Sequence, residues 1–335
     1  MADVRIKRLP FTWRPESLVW SGDDLVDWVA GGRRWLSDGN QDGPAMLYGY
    51  VFDRALMSSS GLYAAIFCER GTKGLILREG EILREIDRSY YQADAFAYPV
   101  ALGRLPDGRE VIAHCPDQYN VIEIETLDDG ERLTRREGKA QDFFHSRLSF
   151  SPDGRFLLSA GWVWQPWNGF CLFDVERALR DPRSLDRMER PFGDVTGSPN
   201  EGEVGAACWL NSSQLLVTTD PDGEYLDEPE HKGPPCSGVR DVGAGEWLSR
   251  SSAWNTGASL SPCAGGVLYV ENGHPHWWAP GRDAPLVWPD ISVRAAPGAA
   301  ERRGIVHDCP LLAAHPTKPR FAAVTDDEIV VVDLN

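Results

Sequence analysis

The stretch that decides the fold runs from Arg147 to Val175: RLSFSPDGRFLLSAGW, a loop, then GFCLFDV from Gly169. Leu148 and Phe150 alternate with polar neighbours, the period of two expected of a strand with one buried face. SPDG at 151–154 is a turn: proline presets one dihedral, aspartate can bond its own backbone, and glycine supplies a positive φ. FLLSA then returns as a second strand, and Phe170, Leu172 and in part Phe173 mark a third. Three short antiparallel strands in sequence order therefore read as one sheet.

Similar turns recur outward from this stretch. LPDGRE starts at Leu105, LNSSQ at Leu210, SPCAGG at Ser261 and HPTKPR at His315, each between two apolar strands and about 46 to 59 residues from the next. MSSSGLYAAIF near Ser58 and WSGDDLVDWVA near Trp20 follow the same scheme with weaker turn chemistry. One such sheet cannot bury both of its faces alone, and radial stacking of four-stranded sheets is the solution that β-propellers use. The expected fold is therefore all-β: a single domain over 1–335, with seven four-stranded antiparallel blades at about 14–40, 45–90, 93–138, 143–190, 201–252, 254–300, and 304–335 with 3–12. In the last blade the N-terminal VRIKRLPF pairs with the C-terminal EIVVVDL and closes the ring, hiding edges that would invite aggregation. Six or eight blades are the alternatives, because the first unit is short and the fifth carries a long insert.

SFSPDGRFLLSA followed by FCLFDV resembles the blades of WD-repeat and related bacterial β-propellers, in which the third strand ends in an aspartate. The resemblance covers nearly the whole chain by period, and blades three, four and seven by motif. Phe173-Asp174 and Val332-Asp333 stand where the Trp-Asp pair belongs, and the Gly-His signature is absent. What the resemblance implies is a fold; such propellers serve as scaffolds and as enzymes alike.

Composition narrows the role. Of 335 residues, 34 are Lys or Arg and 50 Asp or Glu, a net charge of −16, which opposes a phosphate backbone and favours a basic protein partner over nucleic acid. Apolar runs such as Val267–Val270 fall far short of the roughly 20 residues that span a bilayer, so no membrane partner is expected. The charged N-terminus MADVRIKRLPFTW lacks the apolar core of a secretory signal, and a cytoplasmic monomer is the expectation. Seven cysteines, with no CxxC pair, read as reduced thiols.

In propellers of this type, function sits on the face built by second-to-third-strand loops and by the starts of inner strands. Those loops here are ERGTKG, CPDQYN with Tyr119, GWVWQPWNG with Trp162, Trp164 and Trp167, the acidic insert with Asp222, Glu224, Tyr225, Asp227, Glu228 and Glu230, and ENGHPHWW with His276 and Trp277. Clustered aromatics beside carboxylates suit a basic protein, by steering and then by apolar anchoring. The leading expectation is thus a protein-binding module, in its narrowest form an immunity or inhibitor protein for a cationic partner. A second constellation, at the channel mouth, is Asp94, His145, Glu203, Asn255, His307 and Asp308. It supports the alternative, a small-molecule hydrolase of lactonase type or an isomerase, in which a divalent cation would polarise a carbonyl. Neither a cofactor nor a metal site is assigned: the acidic insert lacks the full calcium-loop spacing, and His274 and His276 flank Pro275 in what reads as a loop. Nucleophile-elbow, phosphate-loop and HExxH motifs are missing.

Overall fold

The computed structural model describes residues 5–44, 46–163, 167–187, 203–220, 236–252, 254, 256, 258–295 and 310–334. Trp164, Asp222, Glu224, Tyr225, Asp227, Glu228, Glu230, Asn255, His307 and Asp308 lie outside them, as do the side chains of Trp167 and Glu203.

An N-terminal strand, β1 (Arg5–Pro10), precedes the first sheet, β2 (Val19–Ser21), β3 (Asp24–Asp27), β4 (Arg33–Trp35) and β5 (Gln41–Asp42). The second sheet is β6 (Arg54–Met57), β7 (Tyr63–Phe67), β8 (Lys73–Arg78) and β9 (Glu81–Asp87); the third is β10 (Val100–Arg104), β11 (Glu110–His114) and β12 (Glu123–Thr126). In the fourth, β13 (Leu148–Phe150) and β14 (Phe156–Ser159) are separated from β17 (Cys171–Asp174) by a small hairpin, β15 (Trp162–Val163) and β16 (Trp167–Asn168). The fifth holds β18 (Glu203–Asn211), β19 (Gln214–Asp220), β20 (Ser237–Asp241) and β21 (Trp247–Ser251). Next come β22 (Ser261–Cys263), β23 (Gly266–Glu271), β24 (His274–Trp278) and β25 (Leu286–Val287), then β26 (Leu312–Ala314), β27 (Arg320–Val324) and β28 (Glu328–Asp333).

The fold is all-β with seven antiparallel blades, as the turns imply. Five have four strands. In the third blade the fourth strand contracts to one bridge, Glu125 to Arg132, and in the fourth its place after β17 is taken by a short helix, α1 (Val175–Arg180). Asp174, the third-strand aspartate of the motif, caps that helix by accepting from Arg177 N–H at 2.8 Å. Among the described residues no helix is long and apolar enough to cross a membrane.

By backbone contacts the chain forms two compact units, Met1–Ile86 with Ala258–Asn335, and Asp87–Gly257. In the first, β1 pairs antiparallel with β28, from Arg5 opposite Asp333 to Pro10 opposite Glu328, so one sheet contains both ends of the chain. Strand alternation builds the cores. Phe321 and Ala323 of β27 face the sixth blade's apolar residues, while Ala322 and Val324 join Trp20, Leu25 and Trp35 of the first. In the second unit Leu157 of β14 packs with Val111, Ile122 and Ile124 of the third blade, and its neighbours Phe156 and Leu158 pack with Trp209, Leu215 and Val217 of the fifth. Each fully buried side chain of this kind contributes about 2 kcal/mol.

The SPDG turn shows how tightly adjacent blades fit. Gly154 has φ +71°, and a Cβ there would stand 1.9 Å from the Arg104 carbonyl oxygen. Of the six cysteines within the described residues, all free, five are buried.

Candidate functional site

In the second unit the segment before β13 meets the start of the β15–β16 hairpin. Phe144 and Trp162 form an isolated antiparallel bridge, Phe144 N–H donating to Trp162 O at 2.8 Å and Trp162 N–H returning to Phe144 O at 3.2 Å. That pairing places the two rings face to face, 3.8 Å between centroids and 2° from parallel. Tyr119, from the β11–β12 loop, stacks on Phe144 as well, at 4.3 Å and 26°, and Tyr91 follows at 5.0 Å from Tyr119. Phe96 meets Phe144 edge-on. The result is a ladder of four rings from four segments of the chain.

The ladder runs from interior to solvent. Phe144 is 1% exposed and Trp162 6%, whereas Tyr119 is half-buried, Tyr91 is 49% exposed and its neighbour Tyr90 81%. A carboxylate stands at the outer end, Tyr119 Oη donating to Asp142 Oδ1 at 2.6 Å; Asp94, three residues beyond Tyr91, is exposed. Burial first, then the hydrogen bond to Asp142 and its charge, push the Tyr119 phenol up to about 12, so it stays a neutral donor throughout the physiological range.

Buried arginines hold the loops. The Arg88 guanidinium, 4% exposed, donates to the carbonyls of Ala93, Phe96 and Ala97 and lies over the rings of Phe96 and Tyr98, which fixes the turn bearing Tyr91 and Asp94. Arg136 ties β12 to the segment after α1, donating to Ile122 O at 2.7 Å and to Asp186 at 2.8 Å. Arg132 bridges Asp117, at 2.6 Å, and buried Glu125, which also sits 3.1 Å from His114. Burial raises the Glu123 carboxyl above its usual range, against a hydrogen bond from Thr134.

The channel-mouth residues separate in character. Asp94 is on the surface. His145 is 3% exposed, its Nδ1 2.9 Å from Ser159 Oγ, and burial drives its imidazole down to about 3, so it is neutral. Arg147, two residues on with φ +45°, donates to the Ala160 and Gly205 carbonyls at 2.9 and 3.0 Å, and burial lowers it to about 10. Glu203 opens β18 opposite Asp220, and Trp167 in β16 pairs by backbone with Val163. Among the described residues no group of three or more His, Cys, Asp or Glu side chains is placed to hold a metal ion.

His276 and Trp277 belong to the first unit, in β24 rather than in a loop. His276 stacks on Tyr269 at 5.1 Å, its Nδ1 2.9 Å from His274 O; Trp277 Nε1 donates to Cys263 O at 2.9 Å, and His274 Nδ1 lies 2.9 Å from Ile291 O. All three rings are thus engaged by their own sheet and its neighbours. Two cavities lie among the described residues of the same unit. One, about 390 Å³, lies between the first and last blades; the other, about 400 Å³, is apolar and lies by Tyr48, Tyr50, Phe52 and Ile82 of the second.

Sequence reading found Tyr119, Trp162 and Asp94 of the ladder and its rim, and missed Tyr91, Phe144, Asp142 and Arg88. The available signal was aromatic doublets beside loop starts, SYYQADAF and QDFFHS. Neither any protein-family model nor any curated protein matches the chain.

Proposed function

We propose that the chain is a protein-binding module of the cytosol, and that the outer end of the Tyr91–Tyr119–Phe144–Trp162 ladder holds a basic segment of its partner. The observation that carries this reading is the ladder's exposure gradient, two buried rings supporting a half-exposed one. A rigid aromatic platform loses little entropy on binding and offers π-faces to arginine or lysine. Asp94 and Asp142 supply the complementary charge, and the net charge of −16 draws a cationic partner toward the protein. Binding is favoured over catalysis because the one described imidazole among the channel-mouth residues is buried, neutral and bonded to Ser159.

Selection from a random peptide library displayed against the immobilised full chain at low salt tests the reading. Arginine- and lysine-rich sequences should emerge. Their affinity should fall about tenfold in Tyr91→Ala, the loss of roughly 1.4 kcal/mol of binding, with the melting temperature unchanged because Tyr91 is half-exposed. Selected peptides that bind Tyr91→Ala and Asp94→Asn as well as they bind the unaltered protein would sink the proposal.

A further inference from the structure

The cavity of about 390 Å³ in the first unit is unrelated to the ladder and has a chemistry of its own. Its floor is apolar and aromatic: Leu9, Trp20, Leu25 and Trp35, all buried. Its rim carries Arg5, Lys7 and Arg320 together with Asp23 and Asp333.

The charges at the rim do not cancel. Asp333 Oδ1 accepts from Arg320 Nε at 2.7 Å, and Asp23 is engaged by Lys318, which holds its carboxyl below the usual range. Both carboxylates are therefore already matched by cations. Lys7 Nζ donates at 2.7 Å to Ser37 O, a neutral acceptor, and Arg5 has no ion-pair or hydrogen-bond partner for its guanidinium among the described residues. Two positive charges remain unmatched in a protein whose net charge is −16. In the floor, Trp20 Nε1 donates to Ala313 O at 2.9 Å, and the Trp35 indole N–H is closed off from the cavity, so neither indole offers it a free donor.

We propose that this cavity binds a small aromatic carboxylate. Its ring would lie against the apolar floor of Leu9, Trp20, Leu25 and Trp35, and its carboxylate would take the Arg5 guanidinium fork and the Lys7 ammonium. The volume falls within the roughly 300–1,000 Å³ of small-molecule sites. Paired as they are, Asp23 and Asp333 still carry their charge at the same rim, so a monoanion meets less repulsion there than a phosphate dianion.

The test is an indole ¹⁵N–¹H spectrum of the full chain titrated with phenylacetate, with neutral phenylacetamide, and with phenyl phosphate. The Trp35 signal is identified as the one lost in Trp35→Phe. Phenylacetate should shift it saturably at about 1 mM or below, and phenylacetamide should bind at least about tenfold more weakly. Arg5→Gln, on an exposed strand and with no effect on folding expected, should weaken phenylacetate about tenfold and phenylacetamide little. An unmoved Trp35 signal, equal binding of acid and amide, an unaffected Arg5→Gln variant, or tighter binding of phenyl phosphate would each overturn the proposal.

Discussion

His145 carries the clearest consequence at the scale of one residue. Its folded pKa of about 3 lies below the ordinary 6.5 because the ring is buried beside Ser159 and near the Arg136 charge. Below pH 6.5 the unfolded chain takes up a proton that the folded chain refuses until about pH 3. The stability from this residue is thus complete above pH 6.5 and is lost as pH falls toward 3, at up to about 1.4 kcal/mol per unit. His315, also held below its usual value mainly by burial, acts in the same direction. Urea midpoints measured between pH 7 and about 5, above the range of most carboxylates, should fall steadily, and His145→Gln should flatten part of that slope. An identical slope in the variant would mean that the imidazole is protonated in the folded state. Sequence placed His145 at a channel mouth, open to catalysis; burial, which depends on chain arriving from elsewhere, decides its chemistry, and no local pattern encodes that.

At the scale of elements, turns were legible and their surroundings were not. LPDG and SPDG read alike, and both put glycine at positive φ, +92° at Gly108 and +71° at Gly154. Yet a Cβ at Gly108 meets only the flexible tip of Arg104, 3.7 Å away, whereas at Gly154 it would strike the Arg104 carbonyl oxygen of the neighbouring blade. Gly108→Ala should therefore cost about 1 kcal/mol, the left-handed strain alone, and Gly154→Ala about 3 kcal/mol or more, read from denaturant unfolding. Equal costs would show that the blades part easily there. HPHWW illustrates the converse. Proline in an inner strand argues for a loop, but β24 pairs with β25 only at His276 and Trp277, so Pro275 lies just outside that ladder, where its carbonyl alone is used, accepting from Trp288 N–H at 3.1 Å. The closing pair of β1 with β28 was legible because an unpaired apolar strand at one terminus demands a partner. The Phe144–Trp162 stack was not, because its rings join segments that no repeat period relates.

Charge belongs to the whole molecule, and it separates two parts of binding that a single affinity would merge. With 50 acidic against 34 basic residues, the proposed binding would divide in two: the protein's field, reaching beyond contact distance, would act on encounter, and the ladder only after contact. Screening shortens that reach to about 10 Å at 0.1 M salt. For a fluorescent arginine-rich peptide followed by stopped flow, the association rate should drop about tenfold or more between low and physiological salt, with the dissociation rate nearly constant. Tyr91→Ala should do the reverse, leaving association unchanged and speeding dissociation. If salt instead changed dissociation and the aromatic variant changed association, the acidic field would be acting within the bound complex and the ladder would be guiding approach, an arrangement that a half-exposed ring on a buried stack cannot produce.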